Sequence, residues 1–483
     1  MTMKLLHHPW RAALALAAVV LPLGCGGGGD DPPPTPSNLQ VIARDGNTFP
    51  GGFAVGSIES ANMSDDRTVA IIASEDATPS LNGVFVRSPD GTTRTVLTPG
   101  DPLAEGLSFA NVRNLSMAPT GEFAFEVGNE IDNDGLFFWD GSNTSVLART
   151  APGETPEGFR ILGALRVARD GLVVFTDGTS PCTIDQTNPD NPEISCDVRI
   201  FTALDGEVSR VEVPNSLTSQ RPTSVLLETN SRGEVAVGLS ARGSEPLVGL
   251  IRDQQFEGLL PRRAQIEGLG ILTSARPRAI SGTGAIALDA FIDIDEDGER
   301  DEERVLQYEN GLLTTVAIGG GMFEGNPEVD IRAEGIDRNN RVVYRVDFDS
   351  IPAGERLRSI RAWQDGNTSF IVHEGLPFGE DRNGNPQRIL DILQLRVGTN
   401  GDVVFVAKLG DSDPDTGDRR ISGTALLRWN GGGLETVLEL GAQVAGGELV
   451  REISIADINA NGDLLLISSL NRDRDRVLLL LPR

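Results

Sequence analysis

LQVIARDGNTFPGGF (residues 39–53) matches the end of a repeat unit, although all complete units follow it in the chain. Its near-copy SVLARTAPGETPEGF (145–159) closes one of those units. The last unit ends with RDRDRVLLLLPR (472–483), which corresponds to a third strand with no fourth strand after it. Because the first and last units of a closed ring are neighbours, residues 39–44 are predicted to pair with residues 477–481 and complete the last unit.

One short phrase recurs eight times, and each copy has a small polar run, a turn residue and two to four apolar residues. MAPTGEFAF (117–125) and VGTNGDVVF (397–405) are typical copies. The turn residues lie 50 to 62 positions apart and are Arg67, Gly121, Gly171, Gly233, Gly284, Asn340, Gly401 and Gly462. Gly and Asn tolerate the positive φ that a tight hairpin requires, so Arg67 fits worst and the first copy is the most degenerate.

The first seven units continue with a second hairpin, as in GLFFWDGSNTSVLAR (135–149) and LLRWNGGGLETVL (426–438). Apolar and polar residues alternate on both sides of a DG, NG or GG turn, which is a strong hairpin signal. Every unit therefore has about four short strands, and no segment has a sustained helical period. The sequence predicts an all-β, eight-bladed β-propeller of four-stranded antiparallel blades, closed by the N-terminal strand. An open β-solenoid is the alternative, and it would not need complementary ends.

The repeat phrase carries a resemblance to a known family. PTGEFAF (119–125) followed by GLFFWDGSNTSVLART (135–150) resembles the tandem NxxGxxAF-type repeats of bacterial surface and exported proteins with variable anchors. The resemblance covers nearly all of residues 39–483, and copies such as IDRNNRVVY (336–344) depart from the pattern. It implies a repeat fold and an exported location, and it implies no defined activity.

The N-terminus is predicted to direct export. Residues 1–24 form a signal peptide in which basic residues precede the apolar run AALALAAVVLPL (12–23). The following sequence resembles a bacterial lipoprotein signal, which implies lipid attachment at Cys25 and an outer-membrane or cell-surface location, with a periplasm-facing one left open. Ordinary signal cleavage and a short inner-membrane anchor are alternatives. Residues 25–38 are then a Gly- and Pro-rich tether, and residues 39–483 form the propeller.

Charge limits the range of partners. The formal net charge is −28, with 70 acidic residues against 42 Lys and Arg. A protein with this negative charge repels nucleic acid and anionic lipid headgroups. Neither is therefore expected as a partner. Membrane contact is expected only through the lipid anchor. The same charge favours solubility and suits divalent cations. A monomer is expected.

Two cysteines besides Cys25, Cys182 and Cys196, bracket the insert TIDQTNPDNPEIS. In an exported protein a disulfide between them is the expected state. Closing a loop of this length would stabilise the fold by about 3 kcal/mol in the chain-entropy model. The alternative is a metal pair, but no His or further Cys lies nearby in the sequence.

The best candidate for a metal site is DIDEDGERD (293–301). Carboxylates at alternate positions before a Gly turn can form the oxygen cage that Ca²⁺ requires. The predicted ligands are Asp293, Asp295, Asp297, Glu299 and Asp301. A weaker candidate lies in the equivalent insert of unit seven and comprises Asp411, Asp413, Asp415 and Asp418. The alternative for both segments is a solvated acidic hairpin tip.

Catalytic residue types are scarce in the exported part. It retains one histidine, His373, and has no G-x-S-x-G motif, so no catalytic residues are assigned. The expected function is a surface-tethered binding or scaffolding module for a protein or glycan partner. The alternative is a Ca²⁺-assisted polysaccharide-acting enzyme, a lyase or glycosidase. That alternative would require Asp, Glu, Arg and Tyr to converge at one end of the ring axis. A pure spacer is a third possibility.

Overall fold

A computed structural model describes most of the chain after the N-terminal region. The described residues are 33, 35–78, 81–103, 107–108, 111–128, 135–149, 161–185, 193–213, 224–240, 247–261, 263–266, 269–295, 301–323, 325–349, 356–381, 384–412, 419–444, 447–470 and 475–483. The predicted signal peptide, Cys25 and nearly all of the predicted tether lie outside them. Among the described residues, no helix has the length and apolar character needed to cross a membrane.

The fold is all-β. Apart from two short 3₁₀ turns at Pro50–Gly52 and Arg169–Gly171, the regular elements are strands. The strands of the first half are β1 (Gln40–Arg44), β2 (Thr48–Phe49), β3 (Phe53–Met63), β4 (Val69–Glu75), β5 (Asn82–Arg87), β6 (Thr93–Leu97), β7 (Pro102–Leu103), β8 (Leu107–Ser108), β9 (Asn111–Met117), β10 (Phe123–Gly128), β11 (Gly135–Trp139), β12 (Thr144–Arg149), β13 (Ile161–Val167), β14 (Val173–Asp185), β15 (Glu193–Leu204), β16 (Glu207–Arg210), β17 (Ser224–Thr229), β18 (Val235–Ser240), β19 (Leu247–Arg252) and β20 (Gln255–Leu260).

The second half continues in the same way. Its strands are β21 (Gln265–Ile266), β22 (Gly270–Ile280), β23 (Ile286–Asp293), β24 (Glu302–Glu309), β25 (Leu312–Ile318), β26 (Met322–Phe323), β27 (Asn326–Ile336), β28 (Val342–Asp349), β29 (Arg356–Gln364), β30 (Asn367–His373), β31 (Pro377–Glu380), β32 (Pro386–Val397), β33 (Val403–Ser412), β34 (Arg419–Trp429), β35 (Leu434–Glu439), β36 (Val450–Ile458), β37 (Leu464–Leu470) and β38 (Asp475–Leu481).

All of these strands except β7 and β8 form eight antiparallel blades, in the order β2–β6, β9–β12, β13–β16, β17–β20, β21–β25, β26–β30, β31–β35 and β36–β38 with β1. Strands β7 and β8 pair with each other in a separate two-stranded sheet. The inner strands of the blades contact one another around the ring, and they are β3, β9, β13, β17, β22, β27, β32 and β36. Strand β36 of the last blade contacts β3 of the first, so the ring is closed. The predicted eight-bladed propeller is confirmed.

The N-terminal strand completes blade eight as predicted. Strand β1 pairs with β38, with Gln40 opposite Leu480 and Arg44 opposite Val477. Four blades also carry a short extra strand that pairs with the inner strand, namely β2, β21, β26 and β31. The sequence analysis did not predict these strands, because a pairing of two to four residues is too short to give a detectable alternation.

The core consists of layers between neighbouring blades. The second strand of a blade is covered on both faces, and every residue of β10 (FAFEVG) is buried. One hydrophobic cluster joins Ile71 and Phe85 of blade one to Leu465 and Leu478 of blade eight. This arrangement explains why second strands are continuous apolar runs rather than alternating ones.

The two faces of the ring differ. The turns between first and second strands are all five residues long and occupy 64–68, 118–122, 168–172, 230–234, 281–285, 337–341, 398–402 and 459–463. Hydrogen bonds join successive turns, as from Asn230 Nδ2 to Ser281 O (2.8 Å) and from Arg338 N to Thr399 O (2.9 Å). We call this side the turn face. The connections between second and third strands lie at the opposite ends of the strands, and we call that side the loop face.

Candidate functional site

The structure brings together three of the five predicted ligands of blade five. Asp293 ends β23 and is fully buried, while Asp295 and Asp301 are exposed just beyond the strand. One carboxylate oxygen from each of the three lies within 4.8 Å of the others. Asp297 and Glu299 lie outside the described residues. The cluster is on the loop face, between the second and third strands of the blade, as the sequence analysis placed it.

Backbone geometry fixes the position of Asp301. Its backbone N–H donates to Ile292 O (3.0 Å), and its Oδ2 accepts from Ile294 N (2.6 Å). These bonds fold the chain back so that Asp301 faces the end of β23. An Arg263 guanidinium nitrogen lies 3.9 Å from Asp293 Oδ2 and offsets part of the negative charge. The donor set is all oxygen, which fits a hard cation such as Ca²⁺. Calcium binding here stays a prediction.

The weaker candidate in blade seven is described only in part. Asp411 is exposed near the end of β33, opposite Arg420 of β34. Asp413, Asp415 and Asp418 lie outside the described residues, so the geometry of this segment remains a prediction.

Calcium is expected to raise the melting temperature of the protein. A ligand that binds only the folded state at 100 times its Kd stabilises by about 2.7 kcal/mol. In the double variant Asp295→Asn with Asp301→Asn this rise should be largely lost, because two of the three clustered carboxylates lose their charge. Asp365→Asn, a charge removal on the turn face, should keep the full rise. Thermal unfolding with and without CaCl₂ measures both, and an equal rise in the double variant would rule out blade five as the site.

The two cysteines lie on neighbouring strands of blade three. Strands β14 and β15 pair Thr183 with Ser195 and Thr179 with Asp197, and the register shifts between these two pairs, where Cys182 lies. The predicted disulfide between Cys182 and Cys196 stays a prediction.

The sequence analysis did not identify a charged network beside the inner strands of blades five and six. Arg278 Nε lies 2.5 Å from Asp289 Oδ2, and Asp289 Oδ1 accepts from the backbone N–H of Ala333 (2.7 Å). Arg345 Nη1 lies 3.4 Å from Glu334 Oε1. Burial raises the pKa of both Asp289 and Glu334, although the nearby arginines act against the rise. No spacing in the sequence could have revealed the network, because its members come from different strands and two blades.

This network tests one requirement of the polysaccharide-enzyme alternative. Asp, Glu and Arg come together beside these inner strands. Tyr344 on β28 is buried in the core between blades five and six, opposite Ala333, and Tyr308 on β24 packs against another core cluster. The polysaccharide-enzyme alternative stays a hypothesis.

Acidic side chains also bridge consecutive blades at the inner strands. Glu374, which follows β30, accepts at Oε1 from Ile392 N of blade seven (3.0 Å). Asp457 of β36 accepts at Oδ2 from Met63 N of blade one (2.8 Å). Burial raises the pKa of Glu374 to about 7 and that of Asp457 to about 6. The inner strands have an unpaired edge toward the ring centre, and these carboxylates satisfy N–H groups on it.

Replacing Glu374 with Gln is expected to flatten the pH dependence of stability. The folded-state pKa of about 7 exceeds the ordinary 4.5, so the folded state binds more protons between these values and stability rises as pH falls through 7. Above pH 7.5 the buried charge costs on the order of 2 kcal/mol. Glu374→Gln keeps the oxygen acceptor and should therefore melt higher than wild type at pH 8. Glu380→Gln, an exposed neighbour, is the control, and identical pH profiles for wild type and Glu374→Gln would contradict the assignment.

Comparisons with known proteins give distant similarities to solved structures. No family model and no curated protein matches the chain. Among solved structures, the Dos1 propeller has a TM-score of 0.44 and 9% identity, with 91% of this chain and 94% of that chain covered. The β-propeller domain of the Trilobed protease from Pyrococcus furiosus has a TM-score of 0.39 and 11% identity, covering 80% and 98%. An oligogalacturonate lyase from Vibrio parahaemolyticus has 0.40 and 11%, covering 88% and 98%. Likeness at this level concerns the fold alone.

Proposed function

We propose that the protein is an exported, surface-tethered binding or scaffolding module whose loop face binds a protein or glycan partner. The observation that carries this proposal is the difference between the two faces of the ring. On the turn face, the eight connections between first and second strands are all five residues long, and hydrogen bonds join successive turns at six of the eight junctions among the described residues. The loop face carries connections that differ in length and composition, and binding residues concentrate on such loops when a rigid scaffold positions them.

The loop-face connections of two blades support the same proposal. Residues 294–301 of blade five join β23 to β24 and include Asp295 and Asp301, two of the three members of the acidic cluster. Residues 413–418 of blade seven join β33 to β34 and contain three further aspartates. Ca²⁺ bound at such loops would neutralise their repulsion and order them for a partner, or bridge to an anionic glycan. In this proposal the ion has a structural role, and no catalytic step is assigned.

The location is part of the proposal. A lipid on Cys25 would hold the propeller at the outer membrane or cell surface, and residues 26–37 (GGGGDDPPPTPS) would keep it at a distance from the lipid. Globomycin, which blocks lipoprotein signal cleavage, should cause the precursor to accumulate. Cys25→Ser should abolish metabolic labelling by palmitate. Unchanged labelling in Cys25→Ser would contradict this part of the proposal and leave the binding function open.

The binding function is tested by loop replacement. The experiment captures outer-membrane proteins and probes a glycan array with wild type and with variants in which residues 296–300 and 413–418 are replaced by Gly-Ser segments of equal length. The partner should be lost in these variants and retained in Asp253→Asn with Asp365→Asn, which alters the turn face. Retention in the loop variants would contradict the proposed surface. Release of reducing sugar that chelation abolishes would favour the enzyme alternative instead.

A further inference from the structure

A groove on the turn face lies between blades two and three and is separate from the sites described above. Its volume is about 410 Å³, within the roughly 300–1,000 Å³ of ligand sites. The lining comes from blades two and three and includes the carboxylates of Glu122, Asp140, Asp170 and Asp205 and the hydroxyl of Ser145. Three larger apolar side chains share the groove with these carboxylates, and none of its lining residues is basic.

Glu122 differs from the charged residues at the equivalent position of other blades because it has no ion pair among the described residues. This position is the last residue of the turn between the first and second strands. It carries a charge in five blades, and in four of them the charge is paired. These pairs are Glu234 with Arg252 (2.6 Å), Arg341 with Asp337 (3.0 Å), Asp402 with Arg483 (3.4 Å) and Asp463 with Arg67 (2.8 Å). Glu122 forms no ion pair within the described part of the chain, and its Oε2 is buried there with no hydrogen-bond partner.

The other carboxylates are held in place by turn geometry. Asp170 and Asp205 have positive φ values of 64° and 51° in tight turns, and neither is paired with a cation among the described residues. Asp140 accepts from the backbone N–H groups of Asn143 (2.6 Å) and Ser142 (2.8 Å), and these bonds lower the pKa of Asp140. The rim of the groove thus carries carboxylates held in fixed positions.

The carboxylates do not suit a metal ion. Among the described residues, three acidic groups come within 4.8 Å of one another only at Asp293, Asp295 and Asp301 in blade five. In the groove, Asp140, Asp170 and Asp205 are exposed, whereas the apolar side chains of Phe138, Leu147 and Leu204 are half-buried and form its floor. Separate anionic points around an apolar floor complement a ligand that presents both cationic and apolar side chains. A guanidinium suits this setting, since it can pair with a carboxylate and stack on an aromatic ring.

We propose that the groove between blades two and three binds an arginine-bearing, partly apolar peptide segment of a partner protein. Charge complementarity selects this occupant, because the groove offers four carboxylates and no cation. The adjacent groove between blades one and two shares Glu122 and Asp140 and also contains Arg94. Asp170 and Asp205 line only the groove between blades two and three. This peptide site lies on the opposite side of the ring from the loop face, so it goes beyond the proposed function. The proposal for the groove and the proposal for the loop face can therefore fail independently.

The test uses the full-length protein and a blocked fluorescent hexapeptide of alternating Leu and Arg, with binding followed by anisotropy. The peptide should bind saturably and more weakly as NaCl increases. A matched peptide with citrulline in place of Arg should bind at least about tenfold more weakly, because citrulline keeps the shape and loses the charge. Equal binding of the two peptides would overturn the proposal. Displacement by spermine at equal concentration would overturn the peptide assignment in favour of a small polyamine.

Two variants locate the site. Glu122→Gln with Asp205→Asn should weaken binding about tenfold or more, and Asn tolerates the positive φ of position 205. The control Asp253→Asn with Asp365→Asn removes two charges from the equivalent hairpin turns of blades four and six, where φ is 49° and 50°, and should stay within about twofold of wild type.

Ser145→Arg adds a tethered cation at an exposed groove position and should block the peptide even if the double variant folds poorly. Wild-type affinity in Ser145→Arg would place binding elsewhere and overturn the proposal.

Discussion

Deleting residues 38–46 is expected to destabilise the whole ring by on the order of 5 kcal/mol. Strand β1 supplies the outer strand of blade eight, and Ala43 is buried in the core between blades eight and one. The same segment bonds to both blades, because Asp45 N donates to Arg476 O (3.0 Å) and Gly46 N donates to Val55 O (2.8 Å). Its loss would also expose the edge of β38, whose sequence DRVLLLL favours aggregation.

Thermal and urea unfolding measure this effect. The control is a deletion of equal length within the tether, residues 26–34, which should leave the melting temperature unchanged. A synthetic peptide of residues 38–46 added to the deleted protein should restore part of the lost stability by binding to the edge of β38. A melting temperature equal to that of wild type after the 38–46 deletion would mean that strand β1 does not hold the ring closed.

Most of the fold could be predicted from the sequence because its signals are local. Each hairpin turn and each alternation of apolar and polar residues lies within about fifteen residues, and the eightfold repetition makes the pattern unambiguous. Ring closure was also predictable, since LQVIAR (39–44) has no other unit to complete. The bonds between blades were not predictable. Ala333 N donates to Asp289 Oδ1 across 44 positions, and only the packing of the blades brings the two together.

The distinction between local and long-range signals also applies to the acidic cluster of blade five and the groove between blades two and three. Asp293, Asp295 and Asp301 follow one another in a single connection, so their spacing alone indicated that they would meet. The groove residues Glu122 and Asp205 belong to different units, and nothing near either one in the sequence distinguishes it from the many other acidic residues. Comparison of equivalent positions could have identified Glu122 once the pairing of the other four turn charges was known.

Replacing Asp463 with Ala is expected to cost on the order of 2–3 kcal/mol, because it leaves donors at the junction of blades eight and one without their buried acceptor. Asp463 is fully buried and accepts from Arg67 Nε (2.8 Å), Asn459 Nδ2 (3.0 Å) and Arg483 N (2.9 Å). Burial by itself raises the pKa of Asp463, but the bonds from Arg67 and Arg483 N prevail and lower it. The stability that Asp463 contributes is therefore present above the ordinary pKa of an aspartate. It is lost as the pH falls through the lowered pKa of Asp463 in the folded state.

Arg67 explains why the first repeat departs from the pattern. The residue has a φ of 70° where the other turns have Gly or Asn, and its ion pair with Asp463 offsets the strain. Arg67→Gly should relieve about 1 kcal/mol of strain while losing the pair, so its net cost should be well below that of Asp463→Ala. In a double-mutant cycle by urea unfolding, Arg67→Gly should cost less in the Asp463→Ala background than alone. Additive costs would mean that the two side chains do not stabilise the junction together and that another contact holds Arg67 at positive φ.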